Sequence, residues 1–155
     1  MAVYPWESEA YEKHAKLLCQ SFEQCTAKPL IATEPQKEKL VNLLFYAPFA
    51  LVSHGTQEDP VFNYGNNTAL KLFELSWEQF IALPSRKSAE PVNREERQRL
   101  LNQVTQQGYI DDYSGVRISS TGKRFLIQQA IVWNLIDKEG KYHGQAAVFD
   151  QWTYL

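Results

Sequence analysis

Residues 61–83 read VFNYGNNTALKLFELSWEQFIAL, and the pattern of this segment decides how the rest of the chain is arranged. It predicts a short strand, an asparagine-rich turn and two short helices. Asn66 and Asn67 are residue types that bond backbone groups where a strand turns into a helix. Ser76, followed three residues later by Gln79, forms the capping-box pattern of a helix start. We therefore expect this central segment (61–83) to form a wall against which other elements pack.

The composition indicates one domain with a substantial core. The 155 residues are 44% hydrophobic, and the net charge of −2 comes from interspersed acidic and basic side chains. No basic field attracts phosphates, so direct nucleic-acid binding is not expected. The chain start lacks a signal-peptide pattern, and the longest apolar run, 43–52, is too short to cross a bilayer. We expect a cytoplasmic protein without membrane contact.

Two helices are predicted before the central segment. Residues 8–26 carry an apolar stripe at spacings of three and four, formed by Tyr11, Ala15, Leu18, Phe22 and Cys25. Residues 33–36 carry a capping pattern with Pro35 in the first turn, which predicts a second helix running to about Tyr46. Residues 1–48 are thus expected to form an N-terminal helical cap on a domain of residues 49–155.

The remaining pattern predicts an antiparallel sheet and one longer helix. Five strands are expected, at 49–54, 61–64, 109–119, 123–136 and 141–150. The helix begins near Asn93 and ends at Gly108. Both faces of the strand 123–136 are mostly apolar, so the sheet should be covered twice. Helices of the central segment would cover one face, and the N-terminal helices or a second copy of the chain would cover the other.

This order of elements is similar to that of a PAS domain preceded by a helical cap. Five runs narrow the resemblance: YAPFALVSHG (46–55), LPSRKSAEP (83–91), QGYIDDYSGVRISSTGKRF (107–125), VWNLID (132–137) and GQAAVFDQW (144–152). Together they resemble the MEKHLA domain, a PAS-like family found in small bacterial proteins and at the C-termini of plant homeodomain leucine-zipper transcription factors. The resemblance extends from about residue 7 to residue 152. It implies an α+β PAS-like fold, with a five-stranded antiparallel sheet, short helices on one face and the N-terminal helical cap.

The resemblance implies a non-enzymatic sensory or regulatory module. Such a domain binds a small molecule or a protein partner, often forms a homodimer, and would pass its signal through the cap or the dimer interface. Flavin-binding PAS light sensors carry a reactive cysteine on the helix after the central segment, and this region holds none. Haem-binding members use a histidine on the longer helix, and residues 93–107 contain none. No cofactor is therefore predicted. Cys19 and Cys25 match neither zinc nor redox spacing and are expected to be reduced thiols.

A ligand pocket is expected between the central segment and the strand 123–136. Its predicted lining is Phe73, Trp77, Phe80, Phe125, Ile127, Gln129, Ile131 and Trp133. Gln129 would supply a neutral polar anchor, and Arg86 in the loop after the central segment could hold a carboxylate. A bulge or a one-residue slip would replace Gln129 and Trp133 by Gln128 and Asn134. The alternative is a filled aromatic core without a cavity.

Two other function classes remain open at this point. A small enzyme would need a polar cavity with a carboxylate or histidine of shifted pKa. Asp111 and Asp112 are adjacent on a strand and point to opposite faces, and the three histidines show no metal spacing. A purely structural dimerisation domain would have a filled core, with the stripe at Leu18 on its surface as the contact between copies.

Overall fold

A six-stranded antiparallel sheet carries helices on both faces in the computed structural model, which describes residues 4–31 and 39–155. The helices are α1 (Glu9–Thr26), α2 (Leu40–Phe45), α3 (Asn67–Phe73), α4 (Trp77–Phe80) and α5 (Pro91–Gln107), with 3-10 turns at Pro5–Glu7 and Ser85–Ser88. The strands are β1 (Ala50–His54), β2 (Phe62–Gly65), β3 (Tyr109–Ile118), β4 (Arg124–Ile136), β5 (Tyr142–Phe149) and β6 (Gln151–Tyr154). Their order across the sheet is β2-β1-β5-β4-β3, and β6 pairs with the first half of β4.

The N-terminal helix α1 begins and ends where its sequence predicts. The Ser8 side chain accepts a hydrogen bond from the backbone N–H of Tyr11, and Ala27 closes the helix in a left-handed conformation. The helix α2 ends at Phe45, close to the predicted end. The capping pattern predicted at 33–36 lies outside the described residues.

Asn66 holds the central segment to the strands and helices around it. This fully buried side chain accepts hydrogen bonds from the backbone N–H groups of Leu51 (3.0 Å) and Ala69 (3.1 Å). Its amide donates to the carbonyls of Leu44 (3.1 Å) and Phe49 (2.8 Å). Asn66 thus caps α3 and joins it to β1 and α2 at once. The capping box of Ser76 with Gln79, which starts α4, is also present as predicted.

A bulge in β4 changes which side chains face the helices. Gln129 has a φ of 51°, and the pairing of β4 with β3 shifts at this point. On the opposite edge, Asp150 separates β5 from β6, so the predicted fifth strand is followed by a sixth. Because the bulge adds one residue, Ala130 and Val132 replace Gln129 and Ile131 on the face that carries α5.

The other face of the sheet is covered by α1. Leu18 and Phe22 of the predicted stripe are buried, and the ring of Phe22 lies edge-on to Trp133 of β4 at 5.0 Å between centroids. Both faces are therefore covered, as expected, and α1 of the same chain covers the second one. In the described ranges, every helix is too short or too polar to span a bilayer.

Candidate functional site

An internal cavity of about 70 Å³ lies between the sheet and the helices α3 and α5. Most of its wall is apolar, and this part is formed by Val52, Phe62, Phe73, Leu101, Ile127, Ala130, Val132 and Phe149. A volume of this size holds several water molecules or a small organic molecule. It is well below the 300–1,000 Å³ that drug-sized ligands occupy.

Strand β3 supplies a polar corner to the cavity. Tyr113 and Arg117 lie on the same face of β3 with Gly115 between them, because alternate residues of a strand share a face. A Cβ atom placed on Gly115 would lie 3.0 Å from Nη1 of Arg117 and 3.2 Å from the hydroxyl of Tyr113. The Arg117 guanidinium carbon lies 5.3 Å from the centroid of the Tyr113 ring. Because Gly115 has no side chain, the guanidinium of Arg117 and the hydroxyl of Tyr113 can both occupy this corner.

The helix α5 contributes a second buried arginine. Arg97 and Arg117 are each only 7% exposed, and both line the cavity. Nη2 of Arg97 donates to the hydroxyl of Ser85 at 2.7 Å, and Nη1 of Arg117 donates to the carbonyl of Val116 at 2.8 Å. Among residues 4–31 and 39–155, no carboxylate lies within 4.0 Å of either guanidinium. The cavity thus contains two cations without an ion-pair partner in the described chain.

Burial makes both charges unfavourable. It lowers the pKa of Arg97 to about 10 and that of Arg117 to about 9. The positive charge of Arg97 is a second cause of the lowered pKa of Arg117. Asp59 and Glu96 oppose these shifts only from a distance, because Asp59 pairs with Arg86 and Glu96 is exposed.

Two further polar atoms at the cavity have no hydrogen-bond partner in the part of the chain that the structure describes. They are the hydroxyl of Tyr113 and Nε2 of His54. Nδ1 of His54 donates to the carbonyl of Gly55 at 3.0 Å, so Nε2 of the neutral ring is an acceptor. Burial lowers the pKa of His54, with Gly55 and Gln145 opposing this effect and the charge of Arg97 adding to it. Buried polar atoms normally have partners, so these two atoms point to a site that a ligand or water completes.

A groove at the surface leads to the same residues. It has a volume of about 320 Å³ and shares His54, Arg97, Leu101 and Gln145 with the internal cavity. Asp59 and Arg86 lie on its outer side, where Nε of Arg86 contacts both carboxylate oxygens of Asp59 at 3.1 Å. The shared residues therefore form the boundary between the cavity and the solvent.

The structure places the predicted pocket residues in three groups. Phe73 and Ile127 line the cavity. Phe125 packs edge-on against Phe73 at 5.3 Å, and Phe80 stacks on Phe62 at 4.2 Å, so both support the wall from behind. Trp77 belongs to a separate aromatic cluster, which it forms with Trp6, Tyr11, Phe45 and Tyr64.

The positions predicted for Gln129, Ile131 and Trp133 were wrong. Gln129 is exposed on the bulge, and the bulge turns Ile131 and Trp133 towards the face that α1 covers. Asn134 instead lies on the α5 side, where its amide donates to the carbonyl of Val104 at 3.0 Å. Arg86 is exposed and paired with Asp59 at the outer groove, outside the internal cavity. Whether any of these residues binds a ligand stays a prediction.

The sequence interpretation missed Arg97, Arg117, Tyr113 and His54. One signal was available: Arg97 lies in register with Leu101 and Val104 on the buried stripe of α5, where a charged residue is unusual. A second was the alternation of Tyr113, Gly115 and Arg117 along β3. The cavity therefore has two buried cations that the sequence interpretation did not expect, beside neutral polar groups such as Tyr113, His54 and Gln145.

The residues present do not fit a flavin with its cysteine adduct. The lining side chains of the cavity, within the described ranges, include neither cysteine nor carboxylate. Cys19 and Cys25 both lie on α1, and burial raises the pKa of the Cys19 thiol to about 11. The volume of the cavity is also far too small for a three-ring cofactor. The described residues contain no cluster of three or more side chains suited to a metal ion.

Comparison with known proteins identifies what the chain is similar to. The sequence model of the MEKHLA domain matches residues 12–154. The homeobox-leucine zipper protein HOX9 of Oryza sativa subsp. indica is 24% identical over 142 residues, which cover 91% of this chain and 17% of the rice protein. The homeobox-leucine zipper protein ATHB-15 of Arabidopsis thaliana is 22% identical over 142 residues, again 91% of this chain and 17% of the relative. The chain therefore spans less than a fifth of the length of these relatives.

Solved structures confirm the predicted PAS-like α+β fold. A PAS domain from Colwellia psychrerythraea superposes with a TM-score of 0.61 at 16% identity, covering 74% of this chain and 92% of that one. A light-oxygen-voltage domain studied with a flavin analogue gives a TM-score of 0.59 at 17% identity, covering 75% of this chain and 84% of that one. At these identities the similarity concerns the fold alone.

Proposed function

Because the chain belongs to the MEKHLA domain family, we propose that it is a non-enzymatic sensory or regulatory module that binds a small molecule. The internal cavity is the observation that carries this proposal. It combines an apolar wall with polar atoms of Tyr113 and His54 that have no partner in the described chain. A purely structural domain would gain stability by filling this space, since unfilled volume and unpaired polar atoms both cost free energy.

Strand β4 is suited to carry a signal from the cavity to the cap. Ala130 and Val132 line the cavity on one face, while Trp133 points to α1 on the other. A ligand that shifts β4 therefore acts on both sides of the same strand. We expect occupancy to favour one packing of α1 on the sheet, which is a shift between populations that already exist.

The output would be an interaction with another protein. The relatives are homeobox-leucine zipper proteins, in which the matched region is a small part of a longer chain. In this chain, α1 and its exposed surface are the segment whose position the cavity can influence. A homodimer contact or a partner protein would recognise that surface.

Catalysis is the less supported alternative. His54 is a titratable group at the boundary of the cavity and the outer groove, and burial lowers its pKa. The other polar groups at the cavity are two guanidiniums, a phenol, the amide of Gln145 and the hydroxyls of Ser53 and Ser88, which bind and orient better than they exchange protons at neutral pH. The side chains that line the cavity are therefore better suited to bind a ligand than to transfer protons.

The proposal is tested by ligand retention, followed by hydrogen exchange. Native mass spectrometry of the purified protein and a thermal-shift screen of small metabolites should identify a bound molecule. That molecule should change the amide exchange of α1 (Glu9–Thr26), although α1 does not touch the cavity. Ala130→Leu, which fills the cavity, should abolish the effect, while Ala82→Leu at an exposed position should not. A domain that binds no library member, and whose stability rises in Ala130→Leu, would be structural.

A further inference from the structure

We propose that the ligand of the internal cavity is a small organic carboxylate, with its carboxylate held by Arg97 and Arg117 and its carbon chain against the apolar wall. This proposal rests on the proposed function, because it names the chemical class of the small molecule that the cavity binds. Four features of the described residues support it: unbalanced charge, free donors, cavity size and access.

Charge is the first feature. Arg97 and Arg117 are both 7% exposed and lack a carboxylate within 4.0 Å in the described ranges. A buried charge without a counter-ion is strongly unfavourable, and two like charges at one cavity add to that cost. Asp59 is the acid whose charge raises the pKa of Arg97, and it is already paired with Arg86 at the surface. An anion in the cavity would neutralise this local excess of positive charge.

Hydrogen-bond donors are the second feature. A guanidinium has five N–H groups, and Arg97 and Arg117 each use one nitrogen for a bond to the described chain, to Ser85 and Val116 respectively. The hydroxyl of Tyr113 is a further donor without an acceptor. Carboxylate oxygens accept several hydrogen bonds and match the planar fork of a guanidinium. The three side chains therefore form a donor set that a carboxylate satisfies.

Size and lining select the rest of the ligand. The cavity volume of about 70 Å³ has room for a short carbon chain and not for a large ring system. Phe73, Ile127 and Val132 line the part of the cavity that offers no hydrogen bonds. An inorganic phosphate would leave this wall without contacts, whereas an aliphatic acid would bury its chain there. The apolar wall therefore favours an organic acid over a mineral anion.

Access is the fourth feature. His54, Arg97, Leu101 and Gln145 border both the cavity and the outer groove of about 320 Å³. Arg97 thus lies at the boundary that a ligand would cross between the groove and the cavity. The same arginine that neutralises the bound carboxylate would then also attract it.

The test compares linear carboxylates of two to six carbons with their primary amides, which have nearly the same shape and no charge. Isothermal titration calorimetry at pH 7 should show at least about tenfold tighter binding of the best carboxylate than of its amide. Affinity should rise with chain length until the cavity is filled. Arg97→Met and Arg117→Met should each weaken carboxylate binding at least about tenfold, while Arg86→Met, at the exposed pair with Asp59, should change it less than about twofold.

A second set of variants separates loss of binding from loss of folding. Arg117→Met removes a buried unpaired charge, so the melting temperature of the unliganded protein should stay equal or rise while carboxylate binding is lost. Tyr113→Phe removes a hydroxyl that makes no hydrogen bond in the described chain, so it should fold normally and bind carboxylates several-fold more weakly.

Three results would overturn the carboxylate proposal. Equal affinity for acids and amides would show that charge does not matter, and unchanged binding in Arg97→Met and Arg117→Met would place the ligand elsewhere. Inorganic phosphate that binds as tightly as the best carboxylate would indicate a general anion site. If an uncharged molecule binds and Ala130→Leu blocks it, the carboxylate proposal fails while the sensory function stands. If no molecule of any class binds, both fail.

Discussion

Trp133 and Ser21 are joined by a hydrogen bond of 2.9 Å from the indole Nε1 to the hydroxyl Oγ, and both side chains are buried. Ser21 lies on α1 and Trp133 on β4, so this bond connects the N-terminal cap to the strand that lines the cavity on its other face. The hydroxyl of Ser21 also donates to the carbonyl of Leu17 at 2.6 Å, which fixes its orientation as an acceptor for the indole.

Ser21→Ala should destabilise the protein by about 1–3 kcal/mol, because it leaves the indole N–H of Trp133 buried without a partner. Urea denaturation gives this loss directly. A double-mutant cycle with Trp133→Phe should show a coupling of about 1 kcal/mol between the two side chains. Thr26→Ala is the control, because Thr26 makes the same type of bond to a carbonyl of α1, that of Phe22, and its other hydrogen bonds go to the backbone of Lys28 just after the helix. If Ser21→Ala and Thr26→Ala lose similar free energy of unfolding, the hydrogen bond between the cap and the sheet does not contribute as proposed.

Leu18→Glu should prevent folding rather than release a monomer from a dimer. Leu18 is 0% exposed between α1 and the sheet, so the substitution would bury a carboxylate in the core. We expect a loss of more than about 3 kcal/mol in the free energy of unfolding. Lys16→Glu, at an exposed position of the same helix, should be nearly neutral. Light scattering that shows a folded Leu18→Glu monomer and a wild-type dimer would restore the stripe as an interface.

Asn66→Ala should cost about 3 kcal/mol or more, because it removes four hydrogen bonds and leaves buried backbone groups of β1 and α3 unpaired. Asn66→Asp should be equally harmful, since a carboxylate cannot donate to the carbonyls of Leu44 and Phe49. Asn67→Ala changes the neighbouring residue, whose side chain is partly exposed, and should cost less than about 0.5 kcal/mol. Thermal unfolding of the three variants compares them. Equal melting temperatures for Asn66→Ala and Asn67→Ala would refute this role.

The features of this fold that the sequence predicts correctly depend on residues close together in the chain. The turn at Asn66 and the box of Ser76 with Gln79 each depend on contacts within a few positions, and both formed as the sequence predicts. The apolar stripe of α1 similarly identified its buried side. The stripe cannot specify which surface covers it, and this ambiguity allowed a contact between copies as well as packing on the chain's own sheet.

The full lining of the cavity could not be predicted because it depends on pairing between distant strands. The bulge at Gln129 has a strand-like sequence, and it becomes visible only when β4 is aligned with β3. One extra residue then exchanges the two faces of β4, which moved Ile131 and Trp133 away from the predicted pocket. Arg97 and Arg117 lie on different elements, so their meeting at one cavity has no local signature.

Gly144→Ala should destabilise the protein severely, by about 3 kcal/mol or more. Gly144 has a φ of 122°, and a Cβ atom there would lie 2.0 Å from the carbonyl oxygen of His54 on the neighbouring strand β1. Gly140→Ala is a matched control, because its φ of 83° is also positive but nothing lies within 4 Å of the added atom. The control should lose only about 1 kcal/mol from backbone strain. Equal losses in urea denaturation would show that the contact with His54 is relaxed without cost.

Stability should fall as the pH drops from about 6.5 to about 4, partly because of His14. Burial, and to a lesser extent the nearby His143, lower the pKa of His14 to about 4. The hydroxyl of Ser53 gives its proton to the side-chain oxygen of Asn63, so the His14 ring donates from Nε2 to that hydroxyl, at 2.9 Å. A protonated ring would carry an unpaired charge at this half-buried position.

The sign of the effect follows from the proton balance. The unfolded chain binds a proton at His14 near pH 6.5 and the folded chain only near pH 4, so the unfolded state gains protons first as the pH falls. The contribution is constant above pH 6.5 and is lost between these values, on the order of 3 kcal/mol in all. His14→Gln keeps a donor for Ser53 and removes the titration, so it should flatten the dependence measured by urea denaturation between pH 7.5 and 5. Part of the remaining pH dependence should come from His54, whose pKa is also lowered. The dependence should therefore decrease again in the double variant His14→Gln/His54→Gln. An unchanged slope in His14→Gln would mean that His14 titrates normally in the folded protein and is not held neutral by burial.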